Sequence, residues 1–255
     1  MSARRPSRLL AVGLVVAAVV ATAAPVQAVE PMFPGPRPAA RATRVVMLGD
    51  SLAHEVSGVV GFFAAPRRIV PKFWGGTAPC DWLGVNLEAS RSSVVVVSFT
   101  GNRATRCMED GAGGYLRGAA LVDRYRADLT ALVRRARASG AQVLLVGQPY
   151  RAPSFEADAE VDGINAIYRE LAKQRFVSFV DAGAFVELDG RYTPRLPCAP
   201  FDAVCDPDGT VVVRGDGVHF CPVEGPSSNC PVWSSGAVRF GMAIASAAMR
   251  PGAFE

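Results

Sequence analysis

Apolar residues in this chain follow two rhythms, and the switches between them mark out the elements. Arg44 to Leu48 is a short β-branched run ending at Gly49, and from Ser51 to Phe63 the apolar spacing becomes helical. The chain there reads as strand, tight turn, helix. Ile69 to Trp74 reads as a second strand. Ser92 to Phe99, "SSVVVVSF", is apolar almost throughout, as a strand covered on both faces of a parallel sheet must be, which makes it the expected central strand. Between Gly118 and Ser139 the residues Val122, Tyr125, Leu129, Leu132 and Val133 recur at helical steps with arginines on the opposite face, and Gly140 supplies the stop. Gln142 to Val146 reads as a strand, Ala159 to Gln174 as a helix, Phe176 to Val180 as a strand and Ser234 to Met249 as a small-residue helix. This alternation predicts an α/β fold, a mostly parallel central sheet with helices on both faces. Residues Ala184 to Pro231 break the pattern: they are rich in Pro, Gly and Asp and offer only Thr210 to Val213 as a strand. A loop of that length inside a domain is usually functional or stapled.

The first residues change the composition argument. Arg4, Arg5 and Arg8 precede an apolar or small run from Leu9 to Ala24, and Val26-Gln27-Ala28 has a small-x-Ala cleavage pattern, so residues 1–28 read as an export signal. The run is shorter than the roughly 20 residues of a spanning helix and ends at Pro25, which argues against an anchor. Residues 29–43, rich in proline, read as an exposed linker, and 44–255 as one domain. Three of the arginines behind the formal charge of +4 leave with the signal, so the domain is near neutral and carries no nucleic-acid footprint. Six cysteines in an exported chain suggest disulfides, and proximity pairs them as Cys80–Cys107, Cys198–Cys205 and Cys221–Cys230. The first would tie the glycine loop after the second strand to the segment after Asn102, and the last would hold the segment beside His219. With no C-x-x-C or Cys/His ligand spacing and only two histidines, neither a metal nor another cofactor is expected.

Ligands of α/β sheets gather outside the carboxyl ends of the strands. Ser51 sits at such an end, Asn102 follows the central run, and His219 comes a few residues after Thr210 to Val213. A serine between strand and helix can simply cap the helix. It becomes a nucleophile when a base takes its proton, and an imidazole does this near neutral pH. Asp216, three residues before His219, can accept from the far ring nitrogen and fix the tautomer. His54, one helical turn after Ser51, is a second candidate base and otherwise a wall of the site. Asp50 is expected to hold the turn by local hydrogen bonds. Trp74, Trp82 and Trp233 could form a sugar-stacking wall, but core positions are the commoner use of tryptophan.

"GDSL" at Gly49 to Leu52, "TGN" at Thr100 to Asn102 and "DGVH" at Asp216 to His219, in that order, resemble the SGNH (GDSL) hydrolase family across almost the whole domain. The resemblance implies a flavodoxin-like three-layer sandwich and a triad of Ser51, His219 and Asp216. It also implies an oxyanion hole built from the Ser51 N–H, the Asn102 side-chain amide and a glycine N–H of the loop after the second strand. In "FWGGTAPCDW" that glycine is Gly75 or Gly76, with Gly76 favoured, and Pro79 has no N–H to give. Many members of the family have an aspartate where Arg103 stands. Arg103 therefore either faces an anionic part of the substrate or, as expected, is a solvated charge. The G-x-S-x-G elbow of α/β-hydrolases matches less well, because Ala53 replaces the second glycine and the serine follows the first strand. The implied activity is that of an exported, metal-independent serine esterase acting on O-acyl groups, such as acetyl, of cell-envelope glycans or lipids, with envelope association. Acyl transfer to a glycan hydroxyl and a non-catalytic glycan- or lipid-binding module are the alternatives.

Overall fold

Each apolar run becomes an element whose burial follows its rhythm. A computed structural model describes residues 43–155, 158–225, 230 and 233–250. The expected export signal and all but the last residue of the linker lie outside the described residues. In chain order β1 (Arg44–Gly49) leads into α1 (Ser51–Phe63), followed by β2 (Arg68–Phe73), β3 (Ser93–Ser98), α2 (Gly118–Ala138), β4 (Gln142–Val146), α3 (Asp158–Leu171) and β5 (Val177–Val180). Four short strands follow, β6 (Glu187–Leu188), β7 (Arg191–Tyr192), β8 (Arg195–Pro197) and β9 (Thr210–Val212), and α4 (Ser235–Met249) closes the described chain.

Among the described residues, a five-stranded parallel sheet has the order β2-β1-β3-β4-β5, with β3 in the middle and buried at every position. Alternate side chains of a strand leave on opposite faces. Val45, Met47, Val94, Val96, Leu144 and Val146 accordingly pack with α1 and α4, whereas Val46, Leu48, Val95, Val97, Val143 and Leu145 pack with α2 and α3. The small residues of α4 let it lie close to α1: a Cβ added at Gly241 would come within 2.8 Å of Val59. The three-layer α/β arrangement is the one the apolar pattern predicts.

Gly49 is the closest approach in the sheet that bears on function. A Cβ there would lie 2.2 Å from the Ser98 carbonyl oxygen and 2.5 Å from the Ala53 Cβ, so only glycine lets β1 turn into α1 against the end of β3. Gly49→Ala is expected to destabilise the domain by about 1–3 kcal/mol, the usual cost of overpacking. Urea unfolding measures this, and an unchanged midpoint would show that the turn has room.

Two sequence expectations are corrected. Thr210 to Val213 does not join the parallel sheet. Its first three residues pair antiparallel with β8 in a separate two-stranded ribbon, and β6–β7 form another in a segment expected to hold one strand. The expected helix to Gln174 stops at Leu171, because the Lys173 and Gln174 N–H groups bond to carbonyls only three residues back and tighten the chain into a turn. Disulfides join Cys80 to Cys107, Cys198 to Cys205 and Cys221 to Cys230, the pairs that proximity gives. No helix among the described residues is long and apolar enough to cross a membrane.

Candidate functional site

The carboxyl ends of β1 and β3 meet at one carboxylate. Asp50 is fully buried and is the N-cap of α1, with Oδ1 accepting from the Leu52 N–H at 3.1 Å. Its Oδ2 accepts from the Thr100 N–H at 2.7 Å, the Thr100 hydroxyl at 2.8 Å and the Asn102 side-chain amide at 3.0 Å. Burial raises the Asp50 carboxyl above its ordinary value, opposed by the Thr100 donors and the positive charge of Arg151. Because Asp50 takes the cap, Ser51 is the first helical residue and not the N-cap. Its N–H, at the positive end of a helix, has no acceptor among the described residues.

Two buried tyrosines fix the loop after β3 from the other face of the sheet. Tyr125 of α2 donates its hydroxyl to the Asn102 carbonyl at 2.8 Å, and Tyr168 of α3 accepts from the Phe99 N–H at 3.0 Å. Burial pushes both phenols above their ordinary range, so they remain neutral donors. The Asn102 amide, one hydrogen given to Asp50, approaches the Thr77 carbonyl at 3.4 Å, a long contact. Thr77 belongs to the glycine loop, and the Cys80–Cys107 disulfide joins that loop to the segment after Asn102.

The imidazole arrives on the segment after β9. Arg214 is fully buried there, with no carboxylate in hydrogen-bond contact among the described residues, and burial lowers its guanidinium to about 10. It donates to the Val218 carbonyl at 2.6 Å and 3.1 Å and to the Tyr150 carbonyl at 2.6 Å, which folds residues 214–218 into a turn. Inside that turn Asp216 Oδ1 accepts from the N–H groups of Val218 and His219, and Oδ2 lies 2.8 Å from His219 Nδ1. Burial works to raise the Asp216 carboxyl, but these donors outweigh it and hold the group below its ordinary value. His219 Nε2 then lies 3.0 Å from Ser51 Oγ. The Asp216 side chain is 11% exposed and that of His219 34%, so solvent reaches the imidazole edge but hardly the carboxylate.

The structure thus gathers Ser51, His219 and Asp216, and links Asn102 to the same turn through Asp50. His54 is exposed and stacks on Phe73 at 5.1 Å, so of the two imidazoles it is His219 that reaches Ser51. Of the two glycines, Gly75 lies beside Ser51, where an added Cβ would stand 3.9 Å from the Ser51 Cβ, whereas one on the favoured Gly76 would meet nothing within 4 Å. Arg103 is not a solvated charge but pairs with Glu160 at 3.3 Å. Trp82 is partly buried as expected, with its indole N–H on the Thr77 hydroxyl. Trp74 and Trp233, at 74% and 54% exposure, are surface and not core. Trp74 follows the end of the edge strand β2, and Trp233 packs edge-on against Phe62, itself exposed. Sequence reasoning missed Glu55, Arg214, Tyr125 and Tyr168 as parts of the site. Only Glu55 carried a signal, being one helical turn beyond Ser51.

Two groups of potential metal ligands occur among the described residues, Cys80, Asp81 and Cys107, and Asp216, Cys221 and Cys230. In each, both cysteines are joined in a disulfide, so neither group offers a thiolate. What the geometry can do without a metal is pass a proton: from a hydroxyl at a helix N-terminus to an imidazole whose far nitrogen rests on a buried carboxylate.

A family model described as "Protein of unknown function (DUF459)" matches residues 81–224, a span that holds Asn102, Asp216 and His219. No curated protein matches the chain. Among solved structures, a Streptococcus pneumoniae protein assigned as a platelet activating factor is 13% identical over 81% of this chain and 84% of its own, with a TM-score of 0.53. A Bacteroides fragilis protein assigned as an acylhydrolase is 23% identical over 84% of this chain and 89% of its own, with a TM-score of 0.51. At such identities the likeness concerns the fold, which is the SGNH α/β fold.

Proposed function

Starting from a chain that belongs to the family described as "Protein of unknown function (DUF459)" and has the SGNH α/β fold, we propose that it is an exported serine esterase working through an acyl-enzyme at Ser51. The observation that carries this reading is the continuous hydrogen-bonded chain from Ser51 Oγ through His219 to Asp216, at 3.0 Å and 2.8 Å. Ser51 Oγ attacks the ester carbonyl carbon as its proton passes to His219 Nε2. Nδ1–H stays on Asp216, which stabilises the imidazolium without taking the proton. The oxyanion is received by the Ser51 N–H, by an N–H of the Gly75-Gly76 loop, and by the Asn102 hydrogen that now makes only the long contact to Thr77. Collapse of the intermediate breaks the C–O bond, and the departing alkoxide takes the proton from Nε2. A water molecule, deprotonated by the same nitrogen, then attacks the acyl carbon; the Oγ–C bond breaks, the proton passes from Nε2 to Ser51 Oγ, and the acid leaves.

The substrate class is an O-acyl ester, in its leading form a small group such as acetyl on a cell-envelope glycan or lipid. The motif resemblance supports that choice, and the three disulfides together with the expected signal support an extracytoplasmic setting. The test is a fluorophosphonate probe followed by intact mass. One adduct per chain, located to the peptide holding Ser51 and absent in Ser51→Ala, is the expected result. A chain that takes up no probe and hydrolyses no p-nitrophenyl acetate is a binding module instead. A soluble glycan acceptor in the same assay separates hydrolysis from transfer, since only transfer leaves an acylated glycan.

A further inference from the structure

Helix α1 holds the segment bearing His219 at two points one turn apart. Ser51 meets the imidazole, and Glu55, four residues on and on the same helix face, accepts a hydrogen bond from the backbone N–H of Phe220 at 2.8 Å. The carboxyl is largely buried. The charged groups that act on it are His219 and Asp216 of that segment and Asp50 at the start of its own helix. Neither the turn at Asp50 nor the 214–219 turn needs this carboxylate for its own hydrogen bonds.

On the reading of Ser51 and His219 given above, we propose that Glu55 is a positioning residue: its carboxylate clasps the Phe220 N–H, sets the imidazole against Ser51, and adds a second negative charge that favours the imidazolium formed during attack. Asp216 orients the ring from Nδ1, whereas Glu55 fixes the backbone that carries the ring. The two carboxylates therefore do different things to one histidine.

Burial raises the Glu55 carboxyl to about 7, with the Phe220 N–H and His219 pulling the other way. The folded value lies above the ordinary 4.5, so folding favours the protonated form. The stability this contributes is complete below about pH 4.5 and is lost as pH rises through about 7. The ionised clasp is thus held at a cost to stability.

Glu55→Gln keeps an acceptor oxygen for Phe220 and removes the charge; Glu55→Ala removes both. At pH 8 we expect kcat for p-nitrophenyl acetate to fall about 10-fold in Glu55→Gln and about 100-fold in Glu55→Ala, with KM little changed. Below pH 6 the ratio of wild type to Glu55→Gln closes towards one, because wild-type Glu55 is protonated there as well. Glu55→Gln should also melt about 3–6 °C above wild type at pH 8 and level with it near pH 5. A rate ratio that stays constant with pH, rates within twofold at pH 8, or a Glu55→Gln protein less stable than wild type at pH 8 would each overturn the proposal. If wild type neither turns over ester nor takes up fluorophosphonate, the esterase reading itself fails. Active wild type with an unaltered Glu55→Gln removes the Glu55 assignment alone.

Discussion

Ser51→Ala is expected to lower kcat for p-nitrophenyl acetate by at least about four orders of magnitude while far-UV circular dichroism stays as in wild type. His219→Ala should cost nearly as much, because removing any member of a unit that moves one proton disables the others. A small residual rate remains, since the N–H groups around the oxyanion do not depend on the hydroxyl. Asp216→Asn should lose about four orders as well: an amide at Oδ2 no longer holds the Nδ1–H tautomer, and the ring presents the wrong nitrogen to Ser51. His54→Ala is the control, with an expected loss under about threefold, because its ring rests on Phe73. A dead His54→Ala beside an active His219→Ala would invert the assignment.

The second large effect is on stability. Asp50→Ala removes one carboxylate that satisfies the Leu52 N–H, the Thr100 N–H, the Thr100 hydroxyl and the Asn102 amide at once. Each buried donor left unmatched costs about 1–3 kcal/mol. Allowing for relaxation and the entry of water, a total of about 3–5 kcal/mol is expected in urea unfolding, with an activity loss in whatever folds because Asn102 is no longer aimed. Asp50→Asn should recover little, since an amide hydrogen would point at one of these donors. A stability change under about 1 kcal/mol would show that the carboxylate is not the hub its contacts suggest.

The inner strands β1, β3 and β4 were legible because they are nearly pure apolar runs, too short for helices and bounded by turn residues. The central place of β3 followed from "SSVVVVSF" alone. The limits lay where distant chain decides burial. Glu55 reads as an ordinary polar residue of a helix surface until the Phe220 N–H, 165 positions away, bonds to it. An arginine is seldom fully buried, and Arg214 can be so because backbone carbonyls satisfy it. The ribbon of β8 and β9 pairs three residues with three, too few for a period to register. The choice between Gly75 and Gly76 depends on how an edge strand ends, which a pair of adjacent glycines does not encode.

Ser51 and His219 stand 168 positions apart, whereas the Asp50 turn and the loop after β3 need nothing beyond residue 102 for their mutual contacts. Closing the longer stretch costs more chain entropy than closing the shorter. Asp50, Thr100 and Asn102 can therefore hold one another without the imidazole, and a serine without its base is chemically quiet. On the proposed reading the Ser51 hydroxyl therefore gains its reactivity only where that long-range contact to His219 is made.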